Sequence, residues 1–231
     1  NITQPMHPIR FPAPFAAALL LLVPAAAAPP RDYPVTAVPV PQVEVTGGFW
    51  RQRLDTHFQR TIDHALAQCE QTGRIDNFRI AAGLKQGEHK GACFNDSDVY
   101  KIIEGMALSL GGPMKDEHRK FLDEFIGILG KARMDDGYLF TFYQDKNELQ
   151  NRWTNIGQMH ELYCAGHLFE AGAAHHRMTG GRELLDVCLK FADHIDATFG
   201  PGRKDQPPGH QEIELALAEL HRITGEQKYL T

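Results

Sequence analysis

Apolar positions along this chain follow helical spacing in two alternating styles. From Met159, the residues Met159, Leu162, Tyr163, Gly166, Phe169 and Ala173 form one apolar stripe. Beside it runs a second stripe of small or weakly polar residues, His160, Cys164, His167, Ala171 and Ala174. A helix coated that far round needs neighbours on two sides. Over 182–197 the pattern changes: Leu184, Leu185, Cys188, Phe191, Ala192 and Ile195 make a single stripe, backed by Glu183, Asp186, Lys190, Asp193 and Asp196. Such one-sidedness marks an outer helix. The same contrast separates 99–110, broadly apolar, from 116–132, which packs only through Phe121, Leu122, Phe125, Ile128 and Leu129. The stretch 212–223 is broad again, through Ile213, Leu215, Ala216, Leu217 and Leu220.

The order is inner, outer, inner, outer, inner, which suits helical hairpins arranged as a ring with an inner row lining a central cavity. A short repeat supports this: His176-Arg177-Met178-Thr179-Gly180 returns as His221-Arg222-Ile223-Thr224-Gly225, roughly 45 residues on. The fold class expected is all-α, a partial (α/α)6 toroid of helical hairpins; an open solenoid of hairpins is the runner-up. With a first helix from 50 to about 69, six helices are legible, half of a full ring, so the toroid is expected to be truncated.

Upstream of the helices, Met6-His7-Pro8-Ile9-Arg10, the apolar run from Phe15 to Val23 and Ala25-Ala26-Ala27-Ala28 read as a secretory signal peptide over 1–28. Export to the periplasm or the extracellular space follows, with no membrane attachment after cleavage. A proline-rich lead-in spans 29–42, and the helical domain 43–231. Val43-Glu44-Val45 is expected to form a short strand, and 71–92, with Gly83, Gly87 and Gly91, a loop-rich excursion long enough to suggest a role. There are 24 basic against 29 acidic residues and no basic patch interleaved with aromatics, which excludes nucleic acid as a partner. Of the four cysteines, Cys164 and Cys188 fall on apolar helix faces, where packing is favoured over bridging; Cys69 and Cys93 are left open.

Three inner helices open with polar, titratable groups: Asp96-Ser97-Asp98, His160, and His210 after Pro207-Pro208-Gly209. Asp and Ser in that place also serve as helix caps. Collected at one mouth of the ring, they would supply the fixed donors and acceptors that a polyhydroxyl ligand needs. Asp96 and Asp98 are therefore expected at the pocket rim. His160, Cys164 and His167 share a face at i, i+4 and i+7, a spacing able to hold a metal, but no fourth ligand is evident and no metal site is assigned. Asp135-Asp136 reads as a turn before Gly137, and Glu212 and Glu214 point in different directions, so no acid/base pair of carboxylates is legible.

Phe49-Trp50, Asn77-Phe78-Arg79 with Ala81-Ala82-Gly83, Asp96-Ser97-Asp98-Val99-Tyr100-Lys101, Asp136-Gly137-Tyr138-Leu139, His160-Glu161-Leu162-Tyr163 with Gly166-His167, Ala192-Asp193-His194-Ile195-Asp196 and the run from Gly209 to Leu217 occur in an order that resembles glycoside hydrolase family 127. The resemblance implies an (α/α)6 toroid and a retaining exo-hydrolase that releases β-L-arabinofuranose from plant-derived oligosaccharides or glycoprotein glycans. It implies a cysteine nucleophile beside a zinc ion bound by cysteines and a glutamate, and a separate glutamate as acid/base. By motif, His160 and His210 match the histidines that contact the sugar. The catalytic groups and zinc ligands match no position here, so no catalytic residue is assigned, zinc is expected only of the full-length family member, and this chain alone is expected to be inactive. The alternative is a non-catalytic helical-repeat module that binds carbohydrate or peptide at the same mouth.

Overall fold

A computed structural model describes residues 35–231. The expected signal peptide lies outside the described residues. Among these there are ten α-helices and no strand, the sole bridge being an isolated one between Phe199 and Lys204. Helix α1 (Gly48–Thr56) passes through a π-helical turn (His57–Thr61) into α2 (Ile62–Gln71), so the expected first helix is one continuous rod. There follow α3 (Arg74–Ala81), α4 (Asp96–Leu108), α5 (Asp116–Ala132), α6 (Thr141–Asp145), α7 (Ile156–Met159), α8 (Glu161–Thr179), α9 (Glu183–Thr198) and α10 (Glu212–Thr224).

The inner row is α4, α8 and α10, with α8 packed between the other two. Outside it, α9 packs on α8, and α5 meets both α9 and α4. This is the alternation expected from the stripes, and the chain forms part of an (α/α)6 toroid. Two apolar knots hold the rows together. Phe78 of α3 meets the rings of Tyr100 (α4) and Phe125 (α5), each at 5.3 Å. Phe191 of α9 meets Phe169 of α8 at 5.9 Å and Tyr138 at 5.7 Å. All six rings are fully buried, and each contributes roughly 2–3 kcal/mol through loss of contact with water.

Three expectations are corrected. Val43-Glu44-Val45 is not a strand: Val40–Gln42 makes a 3-10 turn, and the extended residues after it find no partner strand. The stretch 71–92 is not loop throughout, because α3 lies inside it, bracketed by Gly73 (φ 80°) and Gly83 (φ 69°). That helix is short and buries Ile75, Asn77 and Phe78, a polar residue among them, so it carries no apolar periodicity. Leu215, expected to be covered, is 55 % exposed, since α10 meets α8 and the Gln227–Leu230 turn through Ile213, Ala216 and Leu220 instead.

All four cysteines are free, including Cys69 and Cys93; Cys164 and Cys188 are buried as the stripes require. No helix among the described residues is long and apolar enough to cross a membrane.

The contact between α8 and α10 is closest at Gly166, where an added Cβ would lie 2.7 Å from Glu212 Cγ and 3.0 Å from its carbonyl carbon. Gly105 in α4 has open space instead. Gly166→Ala is therefore expected to cost about 1–3 kcal/mol in urea unfolding through overpacking. Gly105→Ala should be neutral or stabilising by about 1 kcal/mol, as in any open helix interior. Equal behaviour of the two variants would show that the helices are not in close contact at Gly166.

Candidate functional site

The site is organised by the start of α8. His160 occupies the N-cap position in the left-handed conformation (φ 61°, ψ 27°), as does Trp153 upstream (φ 60°). A non-glycine residue held there costs about 1–3 kcal/mol and persists only where its surroundings over-determine it. Glu161 supplies that constraint. Its carboxylate is fully buried and accepts from the Tyr138 hydroxyl at 2.7 Å and from the Trp153 backbone N–H at 3.1 Å. Trp153 Nε1 donates to His194 Nε2 at 3.1 Å, so the proton of His194 sits on Nδ1 and is donated to the Asp136 carbonyl at 3.1 Å. Asp136, Tyr138, Glu161 and His194, scattered through the sequence motifs, thus form one frame behind His160.

Burial pushes Glu161 up to about 7, with the bonds from Tyr138 and Trp153 pulling in the opposite direction. Tyr138 is raised further still, first by burial and then by the neighbouring Glu161 charge.

Around Tyr163, one turn along α8, three histidines converge. The His160 ring lies 5.8 Å from the tyrosine ring, and those of His167 and His210 each lie 4.6 Å from it. His160 also meets Phe94 edge-on at 5.4 Å, and its Nδ1 is buried with no hydrogen-bond partner. Lys101 of α4 donates to the Tyr163 hydroxyl at 2.6 Å, tying two inner helices together at the mouth. His210 is exposed on the loop before α10; its Nδ1 accepts from the Glu212 N–H at 3.3 Å, which leaves Nε2 as the N–H turned outward. The loop reaches this position because Gly209 lies directly on the backbone of Gly157, where any side chain would overlap it. His160 and His210, widely separated in sequence, thus flank one aromatic ring.

The two aspartates expected at the rim part company. Asp98 is half-exposed and pairs with Arg74 at 2.7 Å. Asp96 is instead 1 % exposed and faces the interior, accepting from the Thr141 N–H at 2.8 Å and its hydroxyl at 2.6 Å. Burial lifts it to about 6, against the opposing effect of the Thr141 bonds. Together with the paired bonds between Asn77 and the Lys90 backbone (3.0 and 2.9 Å), it ties the loop before α4 to its neighbours.

His160, Cys164 and His167 do not gather as ligands. Cys164 turns its thiol to the Phe94 carbonyl at 3.7 Å, while Nδ1 of His167 lies 3.0 Å from Glu212 Oε1. Nothing in the sequence alone singles out Tyr163, Trp153, Glu161 and Glu170 as site residues. The available signals were the i, i+4, i+7 spacing of Tyr163, His167 and Glu170 and the glycines at 166 and 209.

The polar groups around Tyr163 thus lie at the start of the inner helices of a partial (α/α) toroid. Residues 42–231 match the family model for the β-L-arabinofuranosidase GH127 catalytic domain, and the chain belongs to that family. It is 36 % identical over 214 residues to the non-reducing end β-L-arabinofuranosidase of Bifidobacterium longum subsp. longum, covering 82 % of this chain and 32 % of that protein. Among solved structures, it resembles a GH127 β-L-arabinofuranosidase from Geobacillus stearothermophilus (TM-score 0.78, 41 % identity, 81 % of this chain and 31 % of that one). It also resembles a GH127 β-arabinofuranosidase (TM-score 0.76, 38 % identity, 84 % and 32 %). The chain thus spans about a third of the length of the relatives it matches.

The cysteine-bound zinc that the family resemblance implies does not fit the thiols of the described residues. None of the four joins a group of side chains close enough to share an ion.

Because Glu161 binds its proton more tightly folded than unfolded, its contribution to stability is fully present below its ordinary value near 4.5 and is lost as pH rises through about 7. Asp96 acts with the same sign. The chain should therefore lose stability relative to a Glu161→Gln variant as pH rises from 5 to 8. Glu161→Gln should remove on the order of 3 kcal/mol of that slope. A variant with the parental pH dependence would show that Glu161 is not held as described.

Proposed function

We propose that this chain forms the N-terminal, sugar-holding part of an exported retaining exo-glycoside hydrolase acting on terminal β-L-arabinofuranose of plant-derived glycans. The observation that carries this reading is the convergence of His160 and His210 on Tyr163. Two imidazoles and a lysine supply hydrogen bonds for hydroxyl groups, and the phenol ring offers an apolar face to the C–H side of a pentose. Family membership supports the reaction class. The match to arabinofuranosidases over most of this chain supports the sugar.

In the mechanism, these residues bind and orient. His160, locked by its left-handed backbone and the Glu161 frame, presents a fixed donor or acceptor to the ring hydroxyls. His210 offers Nε2–H from the loop before α10. Tyr163, held by Lys101, sets the distance between them. Zinc, when bound in the complete enzyme, supplies a thiolate at neutral pH; no residue described here is assigned to hold it. Neither Glu161, saturated by three N–H and O–H contacts, nor Cys164, buried as a thiol, is placed for proton transfer or attack.

Titration of the isotopically labelled chain with L-arabinose should shift the resonances of His160, Tyr163 and His210 first, and His210→Ala should weaken binding at least tenfold. An equal response to D-glucose, or shifts confined to other surfaces, would remove the sugar assignment.

A further inference from the structure

One turn beyond Tyr163, the interior turns acidic. Glu104 of α4, Glu170 of α8 and Glu212 of α10, one from each inner helix, lie within electrostatic reach of one another. Burial raises the pKa of all three, and like-charge neighbours add to it. The Glu212 charge acts directly on Glu170. The basic groups that act on them are directed elsewhere: Arg177 pairs with Glu219, and Lys101 donates to Tyr163.

Into this group projects His167, three residues before Glu170 on the same helix face. Its Nδ1 and Glu212 Oε1 lie 3.0 Å apart, and both atoms are shielded from solvent. Donors held by an ion through bonds of about 2.1 Å sit roughly 3.0–3.4 Å apart. One ligand atom each from His167, Glu170 and Glu212 falls within 4.8 Å of the others.

We propose that His167, Glu170 and Glu212 bind one first-row divalent metal ion, such as Mn²⁺ or Zn²⁺. An imidazole with two carboxylates is a donor set for that class rather than for Ca²⁺ or Mg²⁺, which take oxygen alone. The bare side chain of Gly166 is what lets Glu212 lie against α8 at this point. The inference stands whether or not the neighbouring mouth takes a sugar.

The chain, stripped of metal by chelator dialysis, is titrated with Mn²⁺ while free ion is followed by electron paramagnetic resonance. The expected result is one ion per chain, bound at least tenfold more weakly by Glu170→Gln and by His167→Ala. His118→Ala, which breaks the unrelated Asp63-Glu117-His118 group, should leave binding unchanged. Full-strength binding by Glu170→Gln, its loss in His118→Ala, or no uptake up to about 1 mM would each overturn the proposal. If the α8 variants fail to fold, the unaltered chain decides the matter: Mn²⁺ must broaden the ring protons of His167 before those of His118, and the reverse order overturns it.

Discussion

Helix α8 has almost no face left for water, and the rest of the molecule is arranged around that constraint. Leu168, Phe169, Ala165 and Ala171 are all fully buried, pointing to different sides of the same helix. Neighbours must therefore close on it from every direction, and close packing to interior density leaves little tolerance for bulk. Glycines provide the clearance. Gly166 admits α10 at Glu212, and Gly172 admits Cys188 of α9, whose thiol points to the Leu168 carbonyl at 3.3 Å. Where α8 meets α4, Lys101 adds a hydrogen bond to Tyr163.

A helix enclosed in this way can present functional groups only at its end, and the chain invests its buried polar groups there. Glu161 gathers Tyr138 and the Trp153 backbone, Asp96 gathers Thr141, and Asn77 gathers the Lys90 backbone. Each unpaired group would cost about 1–3 kcal/mol in the interior, so satisfying them fixes the loops as firmly as apolar packing fixes the helices. Several of the motif residues shared with GH127 are of this kind. They hold the loops that deliver His160 and His210 and need not meet a ligand themselves.

Along α8 the chemistry then changes in register. Tyr163, His167 and Glu170 follow one another down one face, from an aromatic ring flanked by histidines to a group of buried carboxylates. His167 belongs to both, stacking edge-on against Tyr163 with its Nδ1 beside Glu212. Desolvation is the shared cause: it keeps the imidazole neutral and raises the acids above their ordinary range.

The sequence by itself determined the helical class, the alternation of inner and outer rows and the family, because apolar spacing and short motifs are local properties of the chain. His160 and His210 were legible as a pair only through their place before two inner helices and the motifs around them. Tertiary structure alone decided that Asp96 faces inward and not the rim, that α3 forms without an apolar stripe, and that Glu161 and His194 share a frame across 33 positions of chain. It alone brought Glu170 and Glu212 together. Those contacts depend on how closely backbones approach at Gly166 and Gly209, and interhelix distance is set by the packing of several elements at once, which no periodicity within one element records.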